Sequence, residues 1–417
     1  MAAEHFLPFR KSTVVALCAG ELPADERESF LEFARLLAAM AQHRIHVRGE
    51  RVLDAYEIVD PAEDVRTVRT ATARDRADAR AVVERELVAL AAEADFIRIE
   101  ADEIEQAFAE HDLMKVRLEV EDESIDTVMF FRRGTRPCTE EVKSFYGLRR
   151  RTVEFTSYAK VLVYIAFTER PDATEREPSG GVLLKMFQDV PRNDLEMLYP
   201  TVRVRMRTKD KVLIGVPAVL SGLVVLATKL LASLGLMVLL LAFWVGIREE
   251  TVRLDQAALV TLFAGLAALG SYLWRQFSKF KNRKIKMLKT LQEHLYFRNL
   301  GNGAGVFHHL LDAAAESEVK ETLLTYHFLR TAEQPLTAAG LDRVVEQWFG
   351  RHWDTTFDFD VRGGLRTLRQ LDLLTEDEQG VLGAIALPEA KHRLDRHWDN
   401  LFHMPVPGAA GVPTVSR

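Results

Sequence analysis

Three residues in the C-terminal part of the chain have a spacing that could bind a metal ion. His308, Asp312 and Glu316 are four residues apart, so a helix would place their side chains on one face. The same spacing is equally typical of a helix face in contact with water, and we find no further ligand for the group. We therefore predict that the chain binds no metal.

Two other patterns also have a simple structural interpretation. Asp194 and Glu196 could form an acid–base pair, but they stand near the start of a short predicted helix, where acidic side chains stabilise the positive end. The glycines of residues 301–305 could surround an anion, but their loop lacks the Lys-Ser/Thr of a phosphate-binding loop and fits a helix end followed by a turn. We therefore predict that the protein is not an enzyme and has no cofactor.

Basic side chains on both sides of one long apolar stretch could bind a membrane surface. Five basic residues precede the stretch and seven follow it. Near the membrane surface, the attraction of each to anionic lipid headgroups contributes about 1 kcal/mol to binding. We expect anionic lipids as partners of the seven, which are Arg275, Lys279, Lys281, Arg283, Lys284, Lys286 and Lys289.

The apolar stretch itself covers residues 212–274 and predicts a transmembrane helical hairpin. Residues 230–247 and 257–274 each match the thickness of a bilayer, and a short charged turn separates them. Residues 212–228 contain Pro217 and form a kinked or re-entrant entry, or else a third crossing. Because both flanks are basic, the positive-inside rule places both on the cytoplasmic side, and we predict two crossings.

Lys229 lies between the entry segment and the first predicted crossing. A lysine at mid-bilayer costs about 2.5–3.5 kcal/mol, which favours a position at the membrane boundary over a role in an ion pathway. The prediction is an integral protein of the bacterial cytoplasmic membrane with both termini in the cytoplasm, or of a mitochondrial membrane in a eukaryote. The two cysteines are too few for a disulfide framework and fit a reducing compartment.

The remainder of the 417 residues is sufficient for two folded parts. Residues 1–200 read as an α+β cytoplasmic domain. Two amphipathic helices come first, one over residues 26–44 and one from about Arg76 to Ala94. A period of two begins at Met114 and predicts a run of strands, in which RTVEFTSY and KVLVYIAF are separate strands. Residues 275–331 read as a basic and amphipathic helical connector, and residues 404–417 as a disordered tail.

Residues 335–403 read as a small winged-helix-like domain of helices and a short β element. Arg362, Arg366 and Arg369 fall on one face of its second helix and could contact phosphates. Residues 335–402, however, contain eight Lys or Arg against twelve Asp or Glu, and the whole chain carries a net charge of −6. Because phosphate contacts dominate DNA affinity, we predict that nucleic acid is not a partner.

Several segments resemble a known family. FLPFRKS near the start, DVPRNDLEMLYP followed by IGVPA, and the long segment from FSKFKNRKIKM to ETLLTYHFL are similar to the transmembrane protein 143-like family, which has mitochondrial, plant and bacterial members. The resemblance covers most of the chain and implies a membrane protein of a family with no established biochemical function. It carries over no catalytic residue. This N-terminus also lacks the targeting sequence of the mitochondrial members.

The leading expectation is a membrane-anchored interaction or scaffold protein that works through lipid or protein contacts. One alternative is a membrane-tethered regulator that binds nucleic acid. Another is a channel or transporter subunit, which must form a homo-oligomer because two crossings cannot enclose a pathway.

Overall fold

The computed structural model describes residues 4–60, 69–100, 103, 116–120, 125–144, 149–168, 180–198, 202–206, 297–353 and 357–402, with single residues between 238 and 282. These residues divide into two units. The first contains Met1–Glu105, Glu123–Leu195 and Asn299–Arg417, and the second contains Gln106–Asp122 and Glu196–Arg298.

In the first unit the helices are α1 (Lys11–Glu21), α2 (Ala24–Val59), α3 (Ala73–Glu93), α4 (Ala304–Thr331), α5 (Ala338–Trp353), α6 (Val361–Gln370) and α7 (Leu387–Asp399). The strands of the chain are β1 (Ile97–Ile99), β2 (Val116–Val120), β3 (Ile125–Ser144), β4 (Arg149–Phe167), β5 (Val182–Pro191), β6 (Val202–Met206), β7 (Asn299–Asn302), β8 (Leu374–Glu376) and β9 (Leu382–Ala384). A short 3-10 helix, Arg192–Leu198, follows β5.

The main sheet is antiparallel throughout, with the strand order β1-β3-β4-β5-β7. Strands β3 and β4 form a long hairpin in which Phe131 pairs with Leu162. Residues 161–167 of β4 are all buried, as expected for a central strand whose two faces are covered. In the second unit β2 pairs with β6, again antiparallel.

Helix α4 runs through both hydrophobic cores of the first unit. Its N-terminal half contributes Phe307 and Leu310 to a core shared with the sheet, α3 and the C-terminal half of α2. Its C-terminal half contributes Leu323 and Tyr326 to a second core, shared with α1, the start of α2, and α5, α6 and α7. Residues 322–329 of α4 are all buried, so other elements surround this part of the helix on every side.

Local sequence explains where several helices begin. Thr72 and Asp75 form a reciprocal capping box at α3, in which each side chain accepts the backbone N–H of the other residue. Asp360 caps α6, as its position in the sequence suggests, because its Oδ1 accepts the N–H groups of Arg362 and Gly363 at 3.1 and 3.3 Å.

The predicted transmembrane hairpin, with crossings at 230–247 and 257–274, is wrong. In the part of the chain that the structure describes, no helix combines the length and the apolar character that a membrane crossing requires. Residues 212–228 and most of the remaining stretch to residue 274 lie outside the described residues. The prediction counted apolar residues, whereas a crossing requires about 20 of them in one continuous helix.

The same finding corrects the predictions that depended on the hairpin. The expected integral membrane protein, its location in a bacterial cytoplasmic or mitochondrial membrane, and its role as a membrane-anchored scaffold are not supported. The membrane-tethered regulator and the channel subunit are not supported for the same reason. The fold of the described residues is instead a five-stranded antiparallel sheet with helices.

Several other local predictions also differ from the structure. Helix α2 is 36 residues long and continues well beyond the predicted amphipathic segment. The two segments RTVEFTSY and KVLVYIAF, predicted as separate strands, form the single strand β4. Residues 299–302, predicted as a helix end and a turn, form β7, and α4 begins directly after Gly303, whose φ is 55°. Glycine tolerates this left-handed backbone without strain.

The close approach of α6 to α4 provides a test of the packing. A Cβ added at Gly364 would overlap Thr325 Oγ1 and would lie 2.8 Å from the carbonyl oxygen of Glu321, which is backbone and cannot turn away. We expect Gly364→Ala to lower the free energy of unfolding by about 1–3 kcal/mol, measured by urea denaturation. Gly305→Ala, in α4 with no atom within 4 Å of its added Cβ, is the control and should change stability by less than about 1 kcal/mol. Equal stability of the two variants would contradict the close packing.

Candidate functional site

A cleft of about 960 Å³ lies between α2, α3, α4 and α6. This volume is at the upper end of the range of small-molecule sites, about 300–1,000 Å³. Its walls are largely apolar and include Leu37, Met40, Val47, Ala89, Val319 and Leu371. Eight charged residues also line the cleft, namely Arg44, Arg48, Arg51, Arg366, Glu93, Glu318, Glu321 and Asp360.

Helix α2 supplies most of the positive charge. Arg44, Arg48 and Arg51 follow one another at i, i+4 and i+7, so they share one face of the helix and all line the cleft. Arg366 of α6 faces the same cleft. Four guanidinium groups thus surround one cavity, and their mutual repulsion requires either internal acidic partners or an anionic ligand.

Two of these arginines are neutralised internally. Arg44 forms an ion pair with Glu318 of α4 and donates to Gln370 Oε1 at 3.2 Å, and Thr367 Oγ1 donates to the same Glu318 at 3.0 Å. Arg48 donates from Nε to Glu86 at 2.7 Å and from Nη1 to Glu93 at 2.8 and 2.7 Å. These bonds fix both side chains and satisfy their charges.

The other two arginines have no such partner. Arg51 and Arg366 are exposed, and neither side chain makes a hydrogen bond or an ion pair to any described residue. Burial lowers the pKa of Arg44, and the positive charge of nearby Arg366 acts in the same direction. Arg366 therefore adds positive potential to the cleft without an internal acid that cancels it.

An acid with a raised pKa, Glu321, lies beside Arg366. Burial raises the pKa of Glu321 well above its usual range, and the carboxylates of Asp95 and Asp360 add to the rise, while Lys320 and Arg366 oppose it. The carboxylate of Asp360 accepts the N–H groups of Arg362 and Gly363 at the N-terminus of α6, where negative charge is favourable. Burial therefore opposes the negative charge of Glu321 on this wall of the cleft.

A buried hydroxyl also lines the cleft. Thr322 is completely buried, and its Oγ1 makes no hydrogen bond to the described residues. A buried polar group without a partner costs about 1–3 kcal/mol, so the structure is expected to provide such a group with a partner.

Three carboxylates form a second candidate group. The ligand oxygens of Asp342, Glu346 and Asp358 lie within 4.8 Å of one another, and burial raises the pKa of Asp342 and of Glu346. Glu346, however, accepts the N–H of Phe359 at 3.1 Å, and Asp358 contacts His5. Because these contacts give the acids a structural role, we regard the cleft as the stronger candidate site.

The three residues considered for metal binding all lie on α4, but their surroundings differ. Glu316 accepts the backbone N–H of Lys11 at 2.9 Å and so holds the start of α1, while His308 and Asp312 are exposed. Asp194 and Glu196 lie in the 3-10 helix. Of the seven predicted membrane-surface residues, Arg275 and Lys281 are described and exposed, and Lys279, Arg283, Lys284, Lys286 and Lys289 lie outside the described residues.

The three arginines considered for DNA binding are all exposed on α6, but their contacts differ. Arg366 lines the cleft, Arg369 donates to Glu376 at 2.8 Å, and Arg362 is exposed outside the cleft. The three arginines of α2 that line the cleft were not predicted as site residues from the sequence. Their i, i+4, i+7 spacing was a visible signal, but the helix was predicted to end too early to include all three.

Fold and site together define an α+β protein with a charged ligand-sized cleft, and the comparisons with known proteins do not name its activity. A family model described as "Protein of unknown function (DUF3754)" matches residues 158–305, roughly a third of the chain. The matched segment runs from β4 to the first residues of α4 and contains none of the residues that line the cleft. No solved structure matches the chain. The resemblance to the transmembrane protein 143-like family stays a prediction from the sequence.

The raised pKa of Glu321 predicts a pH-dependent stability. A carboxyl whose pKa is higher in the folded state binds more protons folded than unfolded, so stability falls as the pH rises from the usual glutamate value towards the raised one. We expect Glu321→Gln to remove this decline. The Tm of the variant should therefore rise relative to the Tm of the wild type as the pH is raised from about 4.5 to about 8. Glu50→Gln, which removes a largely exposed carboxylate, should follow the wild type. A constant Tm difference for Glu321→Gln across this range would contradict the prediction.

Proposed function

We propose that this chain is a non-catalytic binding protein that holds a small organic anion in the cleft between α2, α3, α4 and α6. The observation that carries the proposal is Arg366, a guanidinium beside a ligand-sized cavity with no partner among the described residues. Arg51 supports it, since it has the same property on the opposite wall.

Charge supports an anion rather than a cation. Glu318 and Glu93 already form ion pairs with Arg44 and Arg48, burial raises the pKa of Glu321 and so opposes its negative charge, and Asp360 accepts N–H groups at the start of α6. The groups that remain without a partner are therefore cationic. A hydrogen bond to a charged group contributes about 1.5–3 kcal/mol, which is enough for a guanidinium to orient a carboxylate, sulfonate or phosphate.

The chemistry of the walls supports binding rather than catalysis. The described residues that line the cleft include no serine, cysteine or lysine nucleophile. The ring of His43 lies 6.2 Å from that of Trp398 and 5.4 Å from that of Phe402, in a mainly apolar contact. An amphipathic anion fits this combination of apolar walls and unpaired arginines.

The proposal is tested with an apolar anion as a probe. We expect 1-anilinonaphthalene-8-sulfonate to bind the purified full chain, and Arg51→Gln/Arg366→Gln to raise its Kd about tenfold or more, since each lost charge contact contributes about 1.5 kcal/mol before screening. Fluorescence titration at low and high salt measures both Kd and its salt dependence.

Two exposed arginines outside the cleft provide the matched control. Arg35→Gln/Arg362→Gln removes the same charge from the same two helices, α2 and α6, and should leave Kd within about twofold of the wild type, well below the effect of a lost charge contact. Equal losses in the two double variants would show that only net charge matters and would overturn the proposal. An unchanged Kd in Arg51→Gln/Arg366→Gln would do the same.

A further inference from the structure

Helices α2 and α4 run in opposite directions beside the cleft. The ring centroids of Phe33 and Tyr326 are 4.4 Å apart, and a Cβ added at Gly49 would overlap the side chain of Leu311. Residue numbers therefore rise along α2 in the direction in which they fall along α4.

Helix α6 is also antiparallel to α4, so it runs parallel to α2. Near the start of α6, a Cβ added at Gly364 would overlap Thr325 of α4. About one turn later, Thr367 donates to Glu318 at 3.0 Å, and Glu318 comes before Thr325 in α4. The positions of residues along α2 and along α6 can thus be compared directly.

These directions place Arg366 and Arg51 on opposite sides of Arg44 along the cleft. Gln370 of α6 accepts from Arg44 Nη1 at 3.2 Å, and Arg366 precedes Gln370 by about 6 Å along the helix. Arg51 follows Arg44 by about 10 Å in the other direction. The backbones of the two arginines without a described partner are therefore about 16 Å apart along the helix axes, with the ion pair of Arg44 and Glu318 between them.

The stretch of the cleft between these two arginines presents paired charges and apolar side chains. The acidic side chains that line it already form ion pairs. Val47, one turn before Arg51, is 41% exposed, Leu401 is 37% exposed, and both line the cleft. Leu401 lies beside this stretch because the ring of its neighbour Phe402 contacts that of His43, with centroids 5.4 Å apart. The cleft thus presents a cation, an apolar surface and a second cation, in this order.

We infer that the ligand of the cleft is a linear dicarboxylate, with one carboxylate at Arg366, the other at Arg51 and its methylene chain beside Val47 and Leu401. The inference rests on the proposed function and names the ligand class for the same site. Two separated guanidinium groups match two separated carboxylates, whereas a compact anion would require both arginine side chains to extend towards each other. Once one carboxylate is bound, the second contact is intramolecular, so the two contacts add to one affinity.

A matched pair of ligands tests the second charge. Binding of suberate and of monomethyl suberate, which has the same chain with one carboxylate esterified, to the purified full chain is measured by isothermal titration calorimetry at low ionic strength. Suberate should bind at least about tenfold more tightly than the ester, a difference of about 1.4 kcal/mol, because the ester lacks one of the two charge contacts.

Single variants identify the residue at each end of the ligand. Arg51→Gln and Arg366→Gln should each weaken suberate about tenfold and should each reduce its preference over the ester to within about threefold. The matched controls are Arg35→Gln and Arg362→Gln, which remove the same charge from the same two helices outside the cleft and should keep the full preference. All four arginines are exposed, so the circular dichroism spectra of the variants should match that of the wild type.

The outcomes distinguish this inference from the proposed function. Equal affinity for suberate and its ester, with both dependent on Arg366, would overturn the dicarboxylate and leave the anion site intact. A loss in only one of Arg51→Gln and Arg366→Gln would also overturn the bridge between them. Tighter binding of inorganic phosphate than of suberate would identify a compact anion and would overturn the ligand class. Affinities that neither variant changes would overturn the anion site together with the dicarboxylate.

Discussion

The burial of α4 is the constraint on which the rest of the first unit depends. The helix buries polar side chains as well as apolar ones, and an unpaired polar group inside a protein costs about 1–3 kcal/mol or more. Each therefore needs a partner from a specific place. Ser317 donates to Asp95, directly after α3, and Lys320 donates to the carbonyl oxygens of Leu7 and Phe9 at 3.1 and 3.4 Å. These bonds fix the N-terminal segment and the end of α3 against one helix.

The cleft is a consequence of the same arrangement. Because α4 packs against α2 on one side and α6 on another, the residues of α4 between these contacts become the floor of the cavity, among them Thr322. The approach of α6 depends on two adjacent glycines, Gly363 and Gly364, since a side chain at either would overlap α4. Where α6 comes this close, it brings Arg366 to the edge of the cavity. The position of the proposed anion site thus follows from backbone packing, and no local sequence motif specifies it.

Local sequence patterns predicted the presence of helices and strands better than the length of these elements or the role of their residues. The period of two identified β2, β3 and β5, because alternation is a property of neighbouring residues. The predicted end of α2 was wrong: Gly49 weakens a helix locally, yet here its small size allows contact with Leu311 of α4. The cleft could not be predicted, since its walls come from segments near residues 40, 90, 320 and 366 that only the tertiary fold brings together. The prediction of a transmembrane hairpin from the apolar stretch was wrong for a related reason, because hydropathy counts apolar residues and does not establish a continuous helix.

The pattern of internal pairing explains how a chain with a net charge of −6 can present a site for anions. Interactions between exposed charges are largely screened beyond about 8 Å at physiological ionic strength, so the distant acids contribute little inside the cleft. An entering ligand therefore interacts with the local balance of positive and negative charge. There, Arg44 and Arg48 have fixed acidic partners and burial raises the pKa of Glu321, so the attraction is concentrated on Arg366 and Arg51. An anion is then held at defined points of the wall rather than spread over four guanidinium groups.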